Sequence, residues 1–329
     1  MDQRLTTIHH WLASAPAIAA LGIDRHAITL EPASSDASFR RYFRLRQEQA
    51  SWIVMDAPPP HEAVAPFIKV AQALAAIGLN VPQVLAADRQ QGLLLLTDLG
   101  DQPLLQLLTP ERVDRLYGDA LGALAILQSC GPLDLPPYDE PLLLREMALF
   151  SEWYLQRHLG LSLSEREQQQ LGEQFALLAA RALAQPQVPV HRDYHARNLM
   201  YHRHNPAILD FQDAVIGPVT YDLVSLLRDC YIAWPADQVE AWALGYHELA
   251  LQHGILQQRD EARFLHDFDW MGVQRHLKAV GIFARLWHRD GKSGYLDDIP
   301  RTLSYLRQVC GRYEALAPLS ALLERCPAV

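Results

Sequence analysis

The sequence predicts an α+β fold in two lobes, a small strand-rich lobe followed by a larger, mainly helical one. The chain has 329 residues, which at roughly 150 residues per domain favours two domains or lobes. Short strand-like segments separated by turn residues fill the first part of the chain, and helical periodicity dominates after it. Hydrophobic residues make up 50% and charged residues 20% of the chain, which excludes disordered and low-complexity proteins.

The predicted small lobe begins with a helix and continues with strands. Pro16 interrupts the first apolar stretch where a secretory signal would need its longest run, so we expect an amphipathic helix there rather than a targeting segment. The apolar residues at helical spacing in that segment are Leu5, Ile8, Trp11, Leu12 and Ala15. Further along, the sequence predicts strands over residues 27–30, 39–45, 52–55, 84–87 and 93–97, a turn over residues 32–36, and a helix over residues 64–74.

A short polar connector, residues 98–103, separates the two predicted lobes. We expect residues 1–97 to form the small lobe, residues 98–103 a hinge and residues 104–329 the large lobe. The large lobe is predicted to begin with a helix over residues 113–127 and to be helical elsewhere, apart from a strand-and-loop region over residues 188–210.

The charge balance and the cysteines limit the classes of ligand and location. Lys and Arg total 29 against 38 Asp and Glu, a net charge of −9, which disfavours nucleic acid and anionic membrane surfaces as partners. No apolar run approaches the roughly 18 residues of a membrane span. Cys130, Cys230, Cys310 and Cys326 form no CxxC pair, as expected of free thiols in a reducing compartment. Because the sequence shows no heptad pattern that would indicate association with a partner, we expect a monomer.

The strongest chemical signal lies after residue 190. His191 and Asp193 are followed by Asn198, and Asp210 comes next in Ile208-Leu209-Asp210-Phe211. This pattern suits phosphoryl transfer, because Asp193 can accept the proton of an attacking hydroxyl while Asn198 and Asp210 hold Mg²⁺ against nucleotide phosphates. The alternative is that His191 and Asp193 only hydrogen-bond a tight loop and that Asp210 caps an element.

Two other patterns are weaker. Gly291-Lys292-Ser293 resembles the end of a Walker A loop, but Leu286 stands where that loop requires glycine. Several histidines near the motif could suggest zinc, yet no HExxH motif or cysteine partner accompanies them. These histidines are His191, His195, His202 and His204.

The segment resembles the catalytic core of the aminoglycoside phosphotransferase and choline kinase-like branch of the protein-kinase-like fold. Leu93 to Gly100 resembles that family's last N-lobe strand and hinge, and Asp222 resembles the buried aspartate that braces the catalytic loop. The resemblance implies a bilobal protein-kinase-like fold with a small antiparallel-sheet N-lobe and a larger helical C-lobe. It also implies ATP and Mg²⁺ as cofactors. For the site, the resemblance implies that Asp193 is the catalytic residue and that His191 and Asp222 support its loop. It also implies that Thr97, Asp98 and Leu99 contact adenine.

Longer runs resemble one branch of that family, the bacterial kinases that phosphorylate the anomeric hydroxyl of N-acetylmuramate and N-acetylglucosamine. Residues 34–44, 52–59, 210–214 and 274–292 carry this resemblance. It implies ATP-dependent formation of a sugar 1-phosphate in peptidoglycan recycling, a cytoplasmic step with a small-molecule sugar as substrate.

One position departs from the protein-kinase pattern. The third strand ends in Ile53-Val54-Met55-Asp56, with no lysine to pair with nucleotide phosphates. We expect other groups to neutralise the phosphates, although the arginines among them could also be solvated strand residues. The candidates are the turn with Ser35 and Ser38, and the side chains of Arg41, Arg44 and Lys69.

A kinase that accepts a muramic acid would benefit from an arginine that binds its carboxylate. Arg275, His276 and Lys278 form a basic cluster on a predicted helix, with Arg285 further along it. Such a cluster can also be a solvated helix face, and aromatic residues near Asp229 could supply a wall for a sugar ring. The predicted acceptor-site residues are Arg197, Asp229, Tyr231, Trp234, Arg275 and Lys278.

Two other functions stay open at this point. One is phosphorylation of another hydroxylated acceptor such as an aminoglycoside, choline or a different sugar, although the basic cluster disfavours a polycationic antibiotic. The other is a nucleotide-binding pseudokinase, which the absence of the strand lysine suggests. Retention of Asp193, Asn198 and Asp210 together disfavours it.

Overall fold

The computed structural model describes residues 2–35, 40–59, 63–131 and 133–327. The chain divides into two compact units. Unit 1 comprises Met1–Gln102 and Met200–Asp213, and unit 2 comprises Pro103–Leu199 and Ala214–Val329. The first boundary falls within the connector that the sequence predicts as a hinge, and the hinge itself stays a prediction.

Unit 1 is built on one antiparallel sheet. Its first elements in chain order are α1 (Gln3–Ser14), α2 (Pro16–Ala19), β1 (Leu30–Ser35), β2 (Arg41–Gln47), β3 (Ala50–Asp56), α3 (Val64–Ala76), β4 (Val84–Asp88) and β5 (Leu93–Thr97). The five strands lie in the order β1-β2-β3-β5-β4. Ile8 and Leu12 of α1 are fully buried in one cluster with Leu45, Val54 and Leu95 of the sheet. The amphipathic helix predicted near the N-terminus therefore covers the sheet.

The first strand lies later than the sequence predicts. Residues 27–30 are predicted as a strand and residues 32–36 as a turn, whereas β1 runs through Pro32 to Ser35. This assignment is wrong because β1 is an edge strand whose register with β2 shifts between Pro32 and Ser34. An edge position with an irregular ladder tolerates a residue that donates no backbone hydrogen bond.

Unit 2 is mainly helical, as predicted. After β5 the remaining helices and strands of the chain are α4 (Val113–Ser129), α5 (Glu140–Leu149), α6 (Glu165–Leu183), β6 (Gln187–Val190), β7 (Leu199–Met200), β8 (Ala207–Ile208), β9 (Val215–Pro218), α7 (Tyr221–Leu227), α8 (Ala236–Gln252), α9 (Glu261–Asp290), α10 (Ile299–Cys310) and α11 (Ala317–Leu323). All of them belong to unit 2 except β8 and the Met200 end of β7, which belong to unit 1. A π-helical segment, Phe150–His158, continues α5, and 3-10 turns occupy Leu104–Gln106, Ser293–Asp298 and Glu314–Leu316. β6 pairs with β9, and β7 pairs with β8.

The long helix α9 is the centre of unit 2. It packs against α5, the π-helical segment, α6, α7 and α10. A side chain at Gly281 would place its Cβ 2.3 Å from the carbonyl carbon of Leu149, so only glycine permits the observed approach to the end of α5. In the described part of the chain, no helix combines the length and the apolar character that crossing a bilayer needs.

The segment Met200–Asp213 belongs to unit 1 although unit 2 flanks it on both sides. The backbone N–H of Ile208 donates to the carbonyl oxygen of Asn80 at 2.8 Å. The ring of Phe211 lies 4.9 Å from that of Phe67 on α3. Packing against α3 and its following loop therefore holds this segment in unit 1.

Candidate active site

The predicted catalytic loop follows β6 in unit 2. His191 is only 1% exposed, and its Nδ1 accepts a hydrogen bond from the backbone N–H of Asp193 at 3.2 Å. Arg192, between them, has a φ of 77°, a conformation uncommon for a residue with a side chain. This tight turn presents the carboxylate of Asp193 at the end of a buried strand.

A buried aspartate fixes the first part of this loop. Asp222, at the start of α7, is fully buried and accepts hydrogen bonds from the backbone N–H groups of His191 at 2.6 Å and Arg192 at 3.0 Å. Burial raises the pKa of Asp222 to about 7, although these hydrogen bonds favour its ionised form. The resemblance implies this bracing position for Asp222, and the contacts provide a physical basis for it.

A second buried aspartate fixes the end of the loop. Asp229, which follows α7, accepts hydrogen bonds from the backbone N–H groups of Ala196 and Tyr231, both at 2.9 Å. Burial raises the pKa of Asp229 to about 6. Asp229 is a predicted acceptor-site residue, whereas both of its oxygens bind backbone groups of the protein.

Asp193 is half-buried, and several charged side chains lie close to it. Burial is the largest single effect on Asp193 and opposes its ionisation, but the charges of Lys278 and of neighbouring basic residues, Arg192 among them, together lower its pKa. Lys278 of α9 donates to the hydroxyl of Tyr221 at 3.0 Å and lies 3.1 Å from the carboxylate of Glu146 on α5. Glu146 also pairs with Arg192. The lowered pKa favours an ionised carboxylate at Asp193, the form that the predicted role as proton acceptor requires.

The predicted metal ligands lie in different units. In unit 2, the side-chain Nδ2 of Asn198 donates to the carbonyl oxygen of Asp193 at 3.1 Å. In unit 1, Asp210 follows β8 with a φ of 63°, and its Oδ1 accepts a hydrogen bond from Gln212 at 2.9 Å. An amide and a carboxylate offer the hard oxygen donors that Mg²⁺ prefers, so these residue types fit the ion.

Arg44 ties the sheet of unit 1 to the predicted hinge. Its Nε and Nη2 donate to the carboxylate of Asp98 at 2.7 Å and 3.1 Å, and Nη2 also donates to the carbonyl oxygen of Gly100 at 2.8 Å. Thr97, just before, accepts a hydrogen bond from the backbone of Gln83 at 2.9 Å. Arg44 is thus engaged by protein groups.

An apolar cluster lies beside this connector. Leu99 packs with Met200, Ala207 and Leu209 of the segment that returns to unit 1. Asp98 and Leu99 were predicted as adenine contacts. Of these two connector residues, Asp98 is charged and binds Arg44, whereas Leu99 is apolar and packs in this cluster.

A carboxylate held by arginines stands next to the position of the missing strand lysine. Asp56 is fully buried at the end of β3 and pairs with Arg4 and with Arg41, its neighbour across the β2–β3 ladder. Arg41 also pairs with Asp2. These carboxylates engage Arg41, which was a candidate for phosphate binding.

The other candidate phosphate-binding residues are Lys69, Ser35 and Ser38. Lys69 is exposed on α3, and Ser35 ends β1 opposite Arg41. Ser38 lies outside the described residues.

Two predicted acceptor-site residues, Arg275 and Lys278, lie in the interior of unit 2, and a third, Trp234, is half-buried with its indole N–H bound to an interior group. Arg275 is 6% exposed and donates to the hydroxyl of Ser225 at 2.6 Å and to the Sγ of Cys230 at 3.5 Å. Lys278 is 7% exposed and has the partners described above. Trp234 donates to the hydroxyl of Tyr117 at 3.2 Å. The solvent-facing basic cluster that the sequence suggested on α9 is therefore absent from this part of the described helix.

Arg197 and Tyr231, by contrast, come together at the end of the catalytic loop. The guanidinium carbon of Arg197 lies 3.5 Å from the centre of the Tyr231 ring. The side chain of Arg197 is 42% exposed. These two residues form an accessible cation mounted on an aromatic ring.

A model of the phosphotransferase enzyme family matches residues 29–265, well over half of the chain. The chain belongs to this phosphotransferase enzyme family. A relative from Pseudomonas aeruginosa named N-acetylmuramate/N-acetylglucosamine kinase is 49% identical over 299 residues, which cover 91% of this chain and 88% of that protein. A relative of the same name from Pseudomonas putida is 47% identical over 297 residues, covering 90% and 87%.

Solved structures of other phosphotransferases share the fold. Choline kinase from Cryptosporidium parvum superposes with a TM-score of 0.64 at 12% identity, covering 98% of this chain and 100% of that one. The GDP complex of aminoglycoside 2′-phosphotransferase-IIIa gives a TM-score of 0.60 at 16% identity, covering 95% and 100%. These matches confirm the predicted protein-kinase-like fold. As a member of this family, the chain is an enzyme that transfers phosphate and uses a nucleotide.

Two acidic residues beside the predicted catalytic loop, Glu146 and Asp298, carry no signal in the sequence. Glu146 joins Arg192 and Lys278 from a helix far away in sequence, and Asp298 lies 3.7 Å from Arg197. Neither residue stands in a recognisable motif. Only the tertiary packing of α5 and of the turn before α10 brings them to the loop.

Proposed function

We propose that this phosphotransferase transfers the γ-phosphate of ATP to the anomeric hydroxyl of N-acetylmuramate and N-acetylglucosamine. Identities of 46% to 49% with three relatives named N-acetylmuramate/N-acetylglucosamine kinase, each spanning at least 88% of the chain, carry this proposal. The product is the sugar 1-phosphate, which suits a cytoplasmic role for a monomeric enzyme in peptidoglycan recycling.

In the proposed reaction, Asp193 orients the anomeric hydroxyl and accepts its proton. The hydroxyl oxygen forms a bond to the γ-phosphorus while the bond from that phosphorus to the leaving ADP oxygen breaks. The transition state is loose and the proton leaves late, so orientation is a large part of the work of Asp193. Its lowered pKa supports this role, because an ionised carboxylate is available throughout the neutral range.

The remaining predicted residues support nucleotide and metal binding. We propose that Asn198 and Asp210 hold Mg²⁺, which when bound neutralises charge on the phosphates. Thr97, Asp98 and Leu99 are proposed to contact adenine.

Because carboxylates engage Arg41 and Arg44, we assign them to positioning β2 and the connector. We leave Arg275, Lys278 and Trp234 out of the acceptor site because their polar groups bind interior partners.

A direct test is ATP consumption by the purified protein with Mg²⁺ and a panel of acceptors, namely N-acetylmuramate, N-acetylglucosamine, glucose, choline and kanamycin. Phosphorus NMR then locates the transferred phosphate. We expect it on the anomeric oxygen of the two N-acetylated sugars. Turnover of choline or kanamycin alone, or of none of these acceptors, would contradict the proposal.

The catalytic assignment has its own test. Asp193→Asn should lower turnover by at least about 10²- to 10⁴-fold, the usual contribution of a positioned general base. Its thermal stabilisation by Mg-ATP should stay close to that of the parent protein. Asp237→Asn, which changes an exposed carboxylate in the first turn of α8, is the matched control. Equal activity of the two variants would refute the role of Asp193.

A further inference from the structure

We infer that Arg197 selects between the two proposed sugars by binding the carboxylate of the lactyl ether of N-acetylmuramate. This inference rests on the proposed function. N-acetylglucosamine has a hydroxyl where N-acetylmuramate carries the lactyl ether. An exposed guanidinium on the loop that carries Asp193 would therefore add a charged contact to one acceptor and not to the other.

The backbone around Arg197 is held in place on both sides. Ala196, before it, donates its N–H to Asp229 at 2.9 Å and accepts a hydrogen bond from the N–H of Leu105 at 3.0 Å. Asn198, after it, donates its N–H to the carbonyl oxygen of His195 at 2.9 Å. Arg197 therefore stands at a fixed place on the loop that carries Asp193.

The guanidinium of Arg197 is mounted on aromatic rings. Its carbon lies 3.5 Å from the centre of the Tyr231 ring and 5.8 Å from that of Tyr295. Phe283 of α9 lies between these tyrosines, with ring centres at 6.1 Å and 5.7 Å. Stacking uses the flat face of a guanidinium and leaves its N–H donors along the edge, which is the geometry that a carboxylate binds in bidentate fashion.

The described charged groups around Arg197 comprise the guanidinium groups of Arg197, Arg275 and Arg301 and the carboxylates of Asp229 and Asp298, which leaves an excess of one positive charge. Asp298 lies 3.7 Å from Arg197 and 3.2 Å from Arg301, so one largely buried carboxylate serves two guanidinium groups. Arg301 also donates to the carbonyl oxygen of Cys230 at 2.7 Å. Asp297, the neighbouring carboxylate, is exposed to solvent, where water and ions screen its charge. The 3.7 Å separation is too long for a hydrogen bond, so Asp298 orients Arg197 without occupying its donors at close range.

Other basic residues near the loop do not offer this contact. Arg275 and Lys278 are buried and bound to interior groups. His195 is buried, and burial lowers its pKa to about 3, so it is neutral at the pH of the reaction. Arg197 is accordingly the basic residue among the predicted acceptor-site group that combines a fixed position with exposure.

The test compares kcat/KM for the two sugars in Arg197→Met, which keeps the length and apolar packing of the side chain. We expect kcat/KM for N-acetylmuramate to fall about 10- to 100-fold further than that for N-acetylglucosamine, as for loss of a hydrogen-bonded charge. The matched control is Arg259→Met, because Arg259 is an exposed arginine that pairs with Glu248 and Glu261. Its selectivity should equal that of the parent protein.

A second measurement separates recognition from folding. The parent enzyme should prefer N-acetylmuramate to its uncharged amide, and Arg197→Met should treat acid and amide alike. If Arg197→Met fails to fold, Arg197→Lys replaces it. Because lysine keeps the charge but loses the bidentate fork, we expect a smaller but still selective loss with the acid.

The outcomes distinguish the two proposals. An equal fall for both sugars, or a variant that still distinguishes acid from amide as the parent does, overturns the role of Arg197 and leaves the proposed function intact. If the parent protein phosphorylates neither sugar, the proposed function fails and this inference fails with it.

Discussion

The hydrogen bonds of Asp229 lead to a prediction about stability. In Asp229→Ala, the N–H groups of Ala196 and Tyr231 lose the acceptor that each contacts at 2.9 Å. A buried donor without a partner costs about 1–3 kcal/mol, so the two together cost about 2–6 kcal/mol. We also expect kcat to fall, because these groups position the end of the loop that carries Asp193.

Asp229→Ala also removes a buried charge, which by itself raises the free energy of unfolding. The size of this gain depends on pH. The folded pKa of about 6 lies above the ordinary value of 3.8, so the folded state binds the proton more tightly than the unfolded state. The contribution of Asp229 to the stability of the parent protein therefore falls as pH rises between these values. From pH 5 to pH 7.5, the contribution of Asp229 falls by about 1.4 kcal/mol, taking 1.36 kcal/mol per pKa unit.

Urea unfolding of the parent protein and Asp229→Ala at pH 5 and pH 7.5 measures this effect. The free energy of unfolding lost in the variant should be larger at pH 5 by about 1.4 kcal/mol, as the linkage above requires. Asp237→Ala, at an exposed position in α8, controls for general effects of charge removal. An equal loss at both pH values, or a larger loss at pH 7.5, would refute the reasoning.

Two further predictions concern α9. Gly281→Ala should lower the free energy of unfolding by about 1–3 kcal/mol or more, because its Cβ would lie 2.3 Å from the backbone of Leu149. The control Gly245→Ala, with nothing within 4 Å of the added Cβ, should be neutral or stabilising by about 0.5–1 kcal/mol in urea unfolding. Lys278→Met removes the largest of the charges that lower the pKa of Asp193, so the acidic limb of the kcat/KM profile should move to higher pH. An unmoved limb would show that Lys278 does not act on Asp193.

The fold was largely predictable because strand and helix patterns are local. The strand of residues 93–97 matches β5 at both ends, and the helix predicted from residue 64 begins there. The first strand was misplaced because Pro32 and the serines after it are typical of turns, and only pairing with β2 makes them a strand. A ladder between strands is a tertiary interaction that local sequence does not encode.

The site was predictable to the extent that it lies in contiguous motifs. His191 and Asp193 fall together on one loop, and the contacts of Asp222 agree with the resemblance. The basic residues of α9 were misleading, because helical spacing gives the face of a helix but not what that face packs against. Arg275 and Lys278 meet Ser225 and Glu146 only through the packing of helices distant in sequence.

The return of residues 200–213 to unit 1 has a consequence for biosynthesis. A ribosome that has released the first 102 residues has not yet made the segment that covers Leu99 and packs on Phe67. Much of unit 2, including β6 and the catalytic loop, must emerge before that segment does. The nascent chain therefore exposes apolar surface of its first unit while residues 103–199 are made, an interval of about a third of the chain. Completion of that unit coincides with the arrival of Asp210, so nucleotide-dependent protection of the nascent chain should begin only after this point.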